Sequence, residues 1–512
     1  MAMNAAEAAV AKEPARQRIK SWKKKNKGVS FQMLRDAYYG AGGFEDGEYL
    51  IQHKREKADK YYKRQELAYY LNYTAPCVNS HVDPIFRQEI KRDWKGPGST
   101  LWEQFTENTD NAGTKLQGLA KRAALGAKLF GVNFIVMDNA KEQPETLGQA
   151  IDSHVLPYAF IVEPERVVPE QVKTDRFGRL TQFSYVEPKD RDGANQADND
   201  YNIRTWTTTG WILTDKDGKT IESGEHSLKR VPVTVWTSRE MDPAVVFQPS
   251  EFAAIVKTNN HLYQLCSWLS EILQNQAFSI LIYPSREGTS LTIGTDNALG
   301  FDGEASHAPA FIAPPADPAT MLENQIDRLI QEIYRMANLT LVTGVQKQTS
   351  GVSKAWDFER TNQTLSDFAA NCQAAEKDLA DVFALWVGQA LTYTVEYPTD
   401  FKIVDVADEL ANAETAVGLN LGSTFLIEVA KKVLAAYMPG LKPEIFDKVV
   451  AEIKAKGTDE MMSRIGSYTG KPAESANIGA LTSIIKQLLQ VEGVDPALKA
   501  KAEEALNGSS AE

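Results

Sequence analysis

The side chains best suited to acid–base or metal chemistry near neutral pH are the six histidines, His53, His81, His154, His226, His261 and His307. They are scattered, and no His-Glu-x-x-His pattern places two of them on one helical face. His81 and Asp83 form the one pair that suggests a base or a metal ligand. With no third ligand nearby in the sequence, a capping or surface role competes with that reading. Cys77, Cys266 and Cys372 are isolated in helical or apolar context. An odd, widely spaced set cannot make a metal knuckle, and these three read as small buried hydrophobes of a reducing cytosol. There is no Gly-x-x-x-x-Gly-Lys-[Ser/Thr] loop for nucleotide phosphates and no Gly-x-Ser-x-Gly nucleophile elbow. No two carboxylates pair recognisably as acid and base. The sequence therefore assigns no catalytic residue, no metal and no cofactor.

Binding chemistry leaves more traces. A basic run from Arg18 to Lys27, with Lys20, Lys23, Lys24 and Lys25 inside it, ends a polar segment that reads as a solvated arm or a first exposed helix, able to touch nucleic acid. Tyr61, Tyr62, Tyr69, Tyr70 and Tyr73 could stack on bases, but tyrosines at helical spacing are usually packing residues. The formal net charge is −12, against the basic face of a protein that reads nucleic-acid sequence. An acidic wall does suit a conduit through which a polyanion slides without sticking, and it also suits plain solubility.

The elements that would position these groups follow from periodicity. The 512 residues exceed one ordinary core and call for two to four structural units. No run of about 18 apolar residues is present, so no membrane span is expected, and the first residues lack the pattern of a secretory signal. Helices are predicted over 31–39, over 60–86 with an interruption at Pro76, and in one or two pieces over 102–130. The segment 131–138 reads as a buried strand. Strands at 158–162, 180–186, 202–207, 210–214 and 231–236 follow, with turns at 176–179 and 215–218 and an acidic surface loop over 187–200. A long helix over 252–276 carries Leu262, Leu265, Leu269, Ile272 and Leu273 on one face. Short strands at 279–284, 291–294 and 310–313 come next, closed by Pro314, Pro315 and Pro318. A helix over 319–336 repeats Leu322, Ile326, Leu329, Ile330 and Ile333 at helical spacing, and a polar loop with Gly344 and Lys347 runs from Asn338 to Ser350. Leu365, Phe368, Cys372, Ala375, Leu379, Val382 and Trp386 then form a stripe with steps of three and four, on a helix roughly 55 Å long that ends near 389. From 404 the chain is alanine-rich, with helices at 423–437, 443–456 and 478–491.

The order of helix, small β module, helix, glycine-containing polar loop and very long helix resembles the portal protein of a tailed double-stranded DNA bacteriophage, the head-to-tail connector. The run Ile333-Tyr334-Arg335-Met336-Ala337-Asn338 followed by Ser350-Gly351-Val352-Ser353-Lys354-Ala355 is similar to that family's passage from second stem helix through tunnel loop into wing helix. The segment Ile161 to Val168 resembles the family's entry into a β-rich wing. The resemblance covers roughly residues 30–400 and rests on order and pattern.

The resemblance implies an α+β fold. Residues 1–250 would form an N-terminal wing, helical and then β-rich, and 251–277 a first stem helix. A small α/β clip would occupy 278–318, a second stem helix 319–338 and a tunnel loop 339–353. The long wing helix and a following strand would take 354–403, and a helical crown and tail 404–512. It also implies a non-enzymatic role: a homo-oligomeric ring, twelve subunits in that family's virions, at one capsid vertex of the virion and assembled in the host cytoplasm. Double-stranded DNA would pass through it transiently and without sequence preference during packaging and ejection. The terminase large subunit, head-tail adaptor proteins and the major capsid and scaffolding proteins are the implied partners, with no membrane. Glu323, Asp327, Arg328, Glu332 and Arg335 are the implied channel-lining stem residues, and Val342, Thr343, Gly344, Val345, Gln346, Lys347, Gln348 and Thr349 the loop facing the channel. Tyr283, Arg286, Glu287 and Phe301 would carry the clip's partner contacts. The competing readings are another structural or adaptor ring protein of a virion and a cytosolic α+β enzyme.

Overall fold

The structure is a computed structural model. It describes residues 29–139, 156–188, 201–240, 245–277, 280–282, 310–312, 317–339 and 351–401, and, further on, 413, 415–416, 423–438, 441 and 443–455. The chain divides into two compact units, residues 1–401 and 402–512. It is an α+β protein.

The first unit opens with α1 (Phe31–Tyr39), capped by the Ser30 hydroxyl, which accepts from the Met33 N–H at 3.1 Å, and stopped by Gly40 at φ 66°. Helices α2 (Ala58–Leu67) and α3 (Thr74–Arg87) follow. The expected interruption at Pro76 is displaced: the chain leaves the helix at 68–73, and Pro76 sits in the first turn of α3, where a helix needs no N–H from it. Strand β1 (Lys91–Lys95), which has no strand-like alternation of apolar residues, precedes α4 (Ser99–Glu107) and α5 (Leu116–Phe130). Gly131 ends α5 at φ 94°. A Cβ there would lie 2.5 Å from the Gln248 carbonyl oxygen, so only glycine fits this corner.

Strand β2 (Val132–Asp138) lies between β3 (Tyr158–Val162) and β9 (Val233–Thr237), antiparallel to both. It explains the layering. Its alternate side chains point to opposite faces. Val132, Phe134 and Val136 enter a core shared with the meander, whereas Ile135 and Met137 enter the core of the helical layer. The meander is β4 (Lys173–Thr174), β5 (Leu180–Pro188), β6 (Tyr201–Thr207), β7 (Gly210–Asp215) and β8 (Thr220–Glu225), paired in sequence order. Both expected turns are built alike. Asp175 Oδ1 accepts from the Phe177 and Arg179 N–H groups, Asp215 Oδ1 from those of Asp217 and Lys219, and Gly178 and Gly218 take positive φ. Strand β8 lacks an apolar face, and its exposed Ile221 is why sequence pattern passes over it.

Helix α6 (Ala253–Ala277) leads to β10 (Ile280–Ile282), which pairs with β11 (Ala310–Ile312) in the register Ile280↔Ile312, and α7 (Asp317–Met336) follows. Helices α6 and α7 pack against each other more extensively than either does against any other helix. Helix α8 (Gly351–Val387) crosses the helical layer and packs on β9 and on β12 (Thr392–Glu396), the antiparallel partner of β1. Its stripe is buried at Leu365, Phe368, Cys372, Ala375, Leu379 and Val382. Trp386 is half-buried, with its indole N–H donating to the Met137 carbonyl at 3.2 Å and its ring edge-on to Trp206 at the border of the two cores.

In the second unit α9 (Ser423–Tyr437) packs on α10 (Pro443–Ala455), burying Leu426, Val433 and Leu434 on one helix and Val449 and Val450 on the other. The expected strand at 291–294 and helix at 478–491 lie outside the described residues.

Candidate functional site

Helix α7 is amphipathic. Ile326, Ile333 and Ala319 are buried, with Leu322, Leu329 and Ile330 half-buried beside them, so one side is committed to the body of the molecule. Asp317 in its first turn and Arg335 in its last each oppose the helix dipole favourably. The helix stops at Asn338, a non-glycine residue in the left-handed region (φ 56°), and the next N–H, Leu339, donates to the Tyr334 carbonyl at 2.9 Å. The Asn338 carbonyl in turn accepts from the Thr361 hydroxyl at 2.8 Å, which ties the end of α7 to the side of α8.

The other side of α7 carries the expected charged residues. Glu323, Asp327, Arg328 and Arg335 are exposed and Glu332 is half-exposed. The structure thus places all five on the outward half of one helix and brings two of them together: Arg335 Nε and its terminal nitrogen each lie 2.7 Å from a Glu332 carboxylate oxygen. At about 100° per residue, Glu323 and Asp327 share one flank, and Arg328 and Arg335 share the other. Among the described residues, Glu323, Asp327 and Arg328 form no ion pair. Met321 at the start of the same face is 72% exposed, and Leu273 near the end of α6 is 49% exposed, although it belongs to the predicted apolar face of that helix. Both lie within ten residues of the β10–β11 pairing, where the helix pair runs beyond the core that buries Leu262 and Leu265.

The tunnel-loop residues Val342 to Thr349, Lys347 included, and the clip residues Tyr283, Arg286, Glu287 and Phe301 lie outside the described residues.

His81 and Asp83 are not a pair. Two residues apart on α3, they face different sides: Asp83 meets Lys121 at 2.7 Å in an exposed ion pair, and His81 is 4% exposed. Its Nδ1 is 2.8 Å from the Cys77 carbonyl, and its ring is edge-on to Phe252. Burial, reinforced by the nearby Lys128 ammonium, pushes the imidazole down to about 4. Tyr70 packs among Phe44 and Tyr263, and Tyr73 is edge-on to Tyr334, so both serve packing, while Tyr62 and Tyr69 remain exposed. All three cysteines are buried thiols.

The sequence reading missed the polar groups inside α8. Glu376 is fully buried within the apolar stripe. Its two carboxylate oxygens take Arg92 Nε at 2.6 Å and an Arg92 terminal nitrogen at 3.0 Å, and they accept from the Tyr393 and Tyr397 hydroxyls at 2.5 Å. Burial opposes the Arg92 charge, but the adjacent Glu376 carboxylate outweighs it and holds the guanidinium above its ordinary value. Burial and then Glu376 push both tyrosine hydroxyls up. Two residues further, on a different side of the helix, Asp378 accepts from Arg230 at 3.0 Å and from the Thr234 hydroxyl at 2.8 Å. These groups fasten β1, β12 and β9 to the long helix. The available signal was a carboxylate in phase with Cys372, Leu379 and Phe383.

Among the described residues, no group of three or more His, Cys, Asp and Glu could hold a metal ion, and no helix is long and apolar enough to cross a membrane. No protein-family model matches the chain, and no curated protein matches it by sequence. Similar solved structures are chains of gene transfer agent (GTA) particles. One is from the neck of the native particle computed with C12 symmetry, at 11% identity, TM-score 0.41, covering 69% of this chain and 88% of that one. A second is from the virion of the native particle, at 12% identity and TM-score 0.40 over 69% and 88%. A third is from the neck of the empty particle computed with C6 symmetry, at 12% identity and TM-score 0.41 over 69% and 89%.

Proposed function

We propose that this chain is a portal-type ring protein, whose subunits surround a channel for double-stranded DNA at one vertex of a phage-like capsid. The observation that carries the reading is the outward half of α7. A helix joined to its neighbour α6 through a strand pair presents charge along its length, with an apolar side fixed to the body. A channel wall needs that division: a rigid inner anchor and a hydrated charged surface that slides along phosphate without holding it. In this reading α6 and α7 are the stem and the β10–β11 module the base of the clip. Residues 339–353 hold the tunnel loop, α8 is the spine of the wing, and α9 with α10 belong to the crown.

Further support comes from the end of α7. The Thr361 to Asn338 hydrogen bond fixes α7 to α8 about ten residues after α8 begins, which is about 15 Å of helix. The loop that contains Lys347 is therefore bounded by two helices anchored to each other. One lysine per subunit would place a ring of positive charge against an otherwise acidic wall. Terminase and head-tail adaptor proteins are the partners proposed for the clip, and capsid and scaffolding proteins for the outer surface. The role is geometric and electrostatic, with no catalytic residue proposed.

The test is mass and shape. Light scattering of the purified protein should give a particle of several hundred kilodaltons, and end-on negative-stain images should show a ring with a central hole. A monomer across a wide concentration range would overturn the proposal.

A further inference from the structure

We propose that the outward face of α2, with the loop leading into it, seats the acidic flank of α7 of a second copy of this chain. The inference rests on the ring reading above and names the surfaces through which neighbouring subunits meet.

Two hydrogen bonds fix the place of α2. The Ile51 N–H donates to Gln264 Oε1 at 2.7 Å, and an Arg64 terminal nitrogen donates to the Ser267 hydroxyl at 2.9 Å, so α2 lies against the Gln264 and Ser267 side of α6. Cys266 is about 200° around α6 from Gln264. It neighbours Tyr73, whose ring meets Tyr334 of α7 at 5.9 Å and whose hydroxyl is raised by burial first and then by Tyr334, Cys266 and Asp327. Ser267, the residue that Arg64 of α2 meets, is about 100° from Cys266, so α2 and α7 approach α6 from different sides.

Their free faces have opposite character. Arg64 turns inward onto Glu56, at 2.7 Å. Lys54, Arg55, Lys57, Lys60 and Lys63 are all exposed, and among the described residues their side chains form no ion pair. Asp59 and Glu66 are the exposed acids of the same stretch, so the excess is positive on a chain whose total is −12. Exposed apolar groups accompany the cations: Tyr62, at 63%, lies among them in the sequence, and Ile51, at 70%, and Leu67, at 50%, flank them. The α7 flank with Glu323 and Asp327 is negative and equally unpaired among the described residues.

Phosphate would use the lysines but gains little from covering Ile51 and Leu67. A protein surface uses both, with aromatic and aliphatic contact at the centre and charge at the rim. Within one chain α2 and α7 are each fixed on α6, at different positions round it. Joined between chains they make a head-to-tail contact, the type that closes into a ring when the rotation allows. The α7 face is thereby divided: Glu323 and Asp327 go to the neighbour, and Arg328, Glu332 and Arg335 remain to line the channel.

The experiment uses the full chain, whose native thiols are all buried and so spare the background. Lys63→Cys and Asp327→Cys are introduced together and treated with a bismaleimide of about 8 Å reach, shorter than the roughly 12–15 Å between two helices that pack on a third about 100° apart. Denaturing gels should show a ladder of covalent multimers ending at the full ring, with neither single variant going beyond a dimer. Reversing Lys60 and Lys63 to Glu should raise the concentration needed for assembly about tenfold, and Glu323→Lys with Asp327→Lys in the same chain should restore it. A parent of ring mass whose double-cysteine variant gives no ladder overturns this pairing and leaves the ring reading standing. A parent that stays monomeric overturns both. A Lys60/Lys63 reversal that assembles normally but no longer retains a double-stranded DNA fragment overturns the pairing and assigns the face to nucleic acid.

Discussion

Helices α7 and α8 are neighbours in the chain and treat charge in opposite ways. In α8, Glu376 is enclosed and every oxygen is answered by Arg92, Tyr393 or Tyr397, and Asp378 is held by Arg230 and Thr234. In α7, Glu323, Asp327 and Arg328 stand in solvent without an ion pair among the described residues. A buried carboxylate is tolerated only when it is paired and hydrogen-bonded, so Glu376 works as a fastener, with the half-exposed Asp378 beside it. An exposed charge costs the fold almost nothing and is free to act on something outside it. The difference separates architecture from interaction in a chain whose composition alone does not distinguish them.

The sharpest way to break this comparison is Glu376→Ala. It leaves the Arg92 guanidinium buried without its partner and should cost ~3–5 kcal/mol, read as a large fall in melting temperature by circular dichroism. A loss below 1 kcal/mol would show that Glu376 is not the fastener its geometry makes it. Next comes the apolar stripe. Leu379→Ala should cost ~2–5 kcal/mol, and Trp386→Ala, at a half-buried ring, should fall at or below the lower end of that range. The reverse order would place Trp386 deeper than the structure does.

Acid should weaken the body of the molecule through His81. His81 is neutral in the folded state down to about 4, whereas an unfolded histidine takes a proton near 6.5. Between those values the unfolded chain binds the extra proton, so stability falls as pH drops through that window and is unaffected by His81 above it. The loss should approach about 3 kcal/mol by pH 4, and His81→Leu should remove that part of the pH dependence in denaturant titrations at pH 7 and pH 4.5.

At the small end, Glu323→Gln, Asp327→Asn and Arg328→Gln should each change stability by less than about 0.5 kcal/mol. A larger cost would mean that α7 is fastened as α8 is. Lys347→Ala should likewise leave stability and assembly unchanged. Its effect is expected in the length or retention of packaged DNA, weakening as salt rises. A variant that matches the parent at low and high salt would reduce Lys347 to a solvated lysine.

The periodic elements were legible because their signal is local. The stripe from Leu365 to Val382 is buried as its spacing requires, α6 and α7 fall within two residues of their expected bounds, and the central strand at 132–138 was readable from an apolar run. The charges of α7 could be named because an amphipathic helix declares its outer face. Sequence alone could not say what answers a charge on an apolar face: Glu376 lies in phase with the α8 stripe, but its partner Arg92 is 284 positions away. Strand β1 and strand β8 were invisible for a related reason. They are held by pairing with β12 and β7, while their own side chains carry no apolar alternation. The separation of His81 from Asp83, the break at 68–73 and the placement of α2 and α7 on different sides of α6 were also decided by packing. Local spacing fixes which face of an element is apolar. What that face meets, and which charge it encloses, depends on contacts that only the folded chain creates.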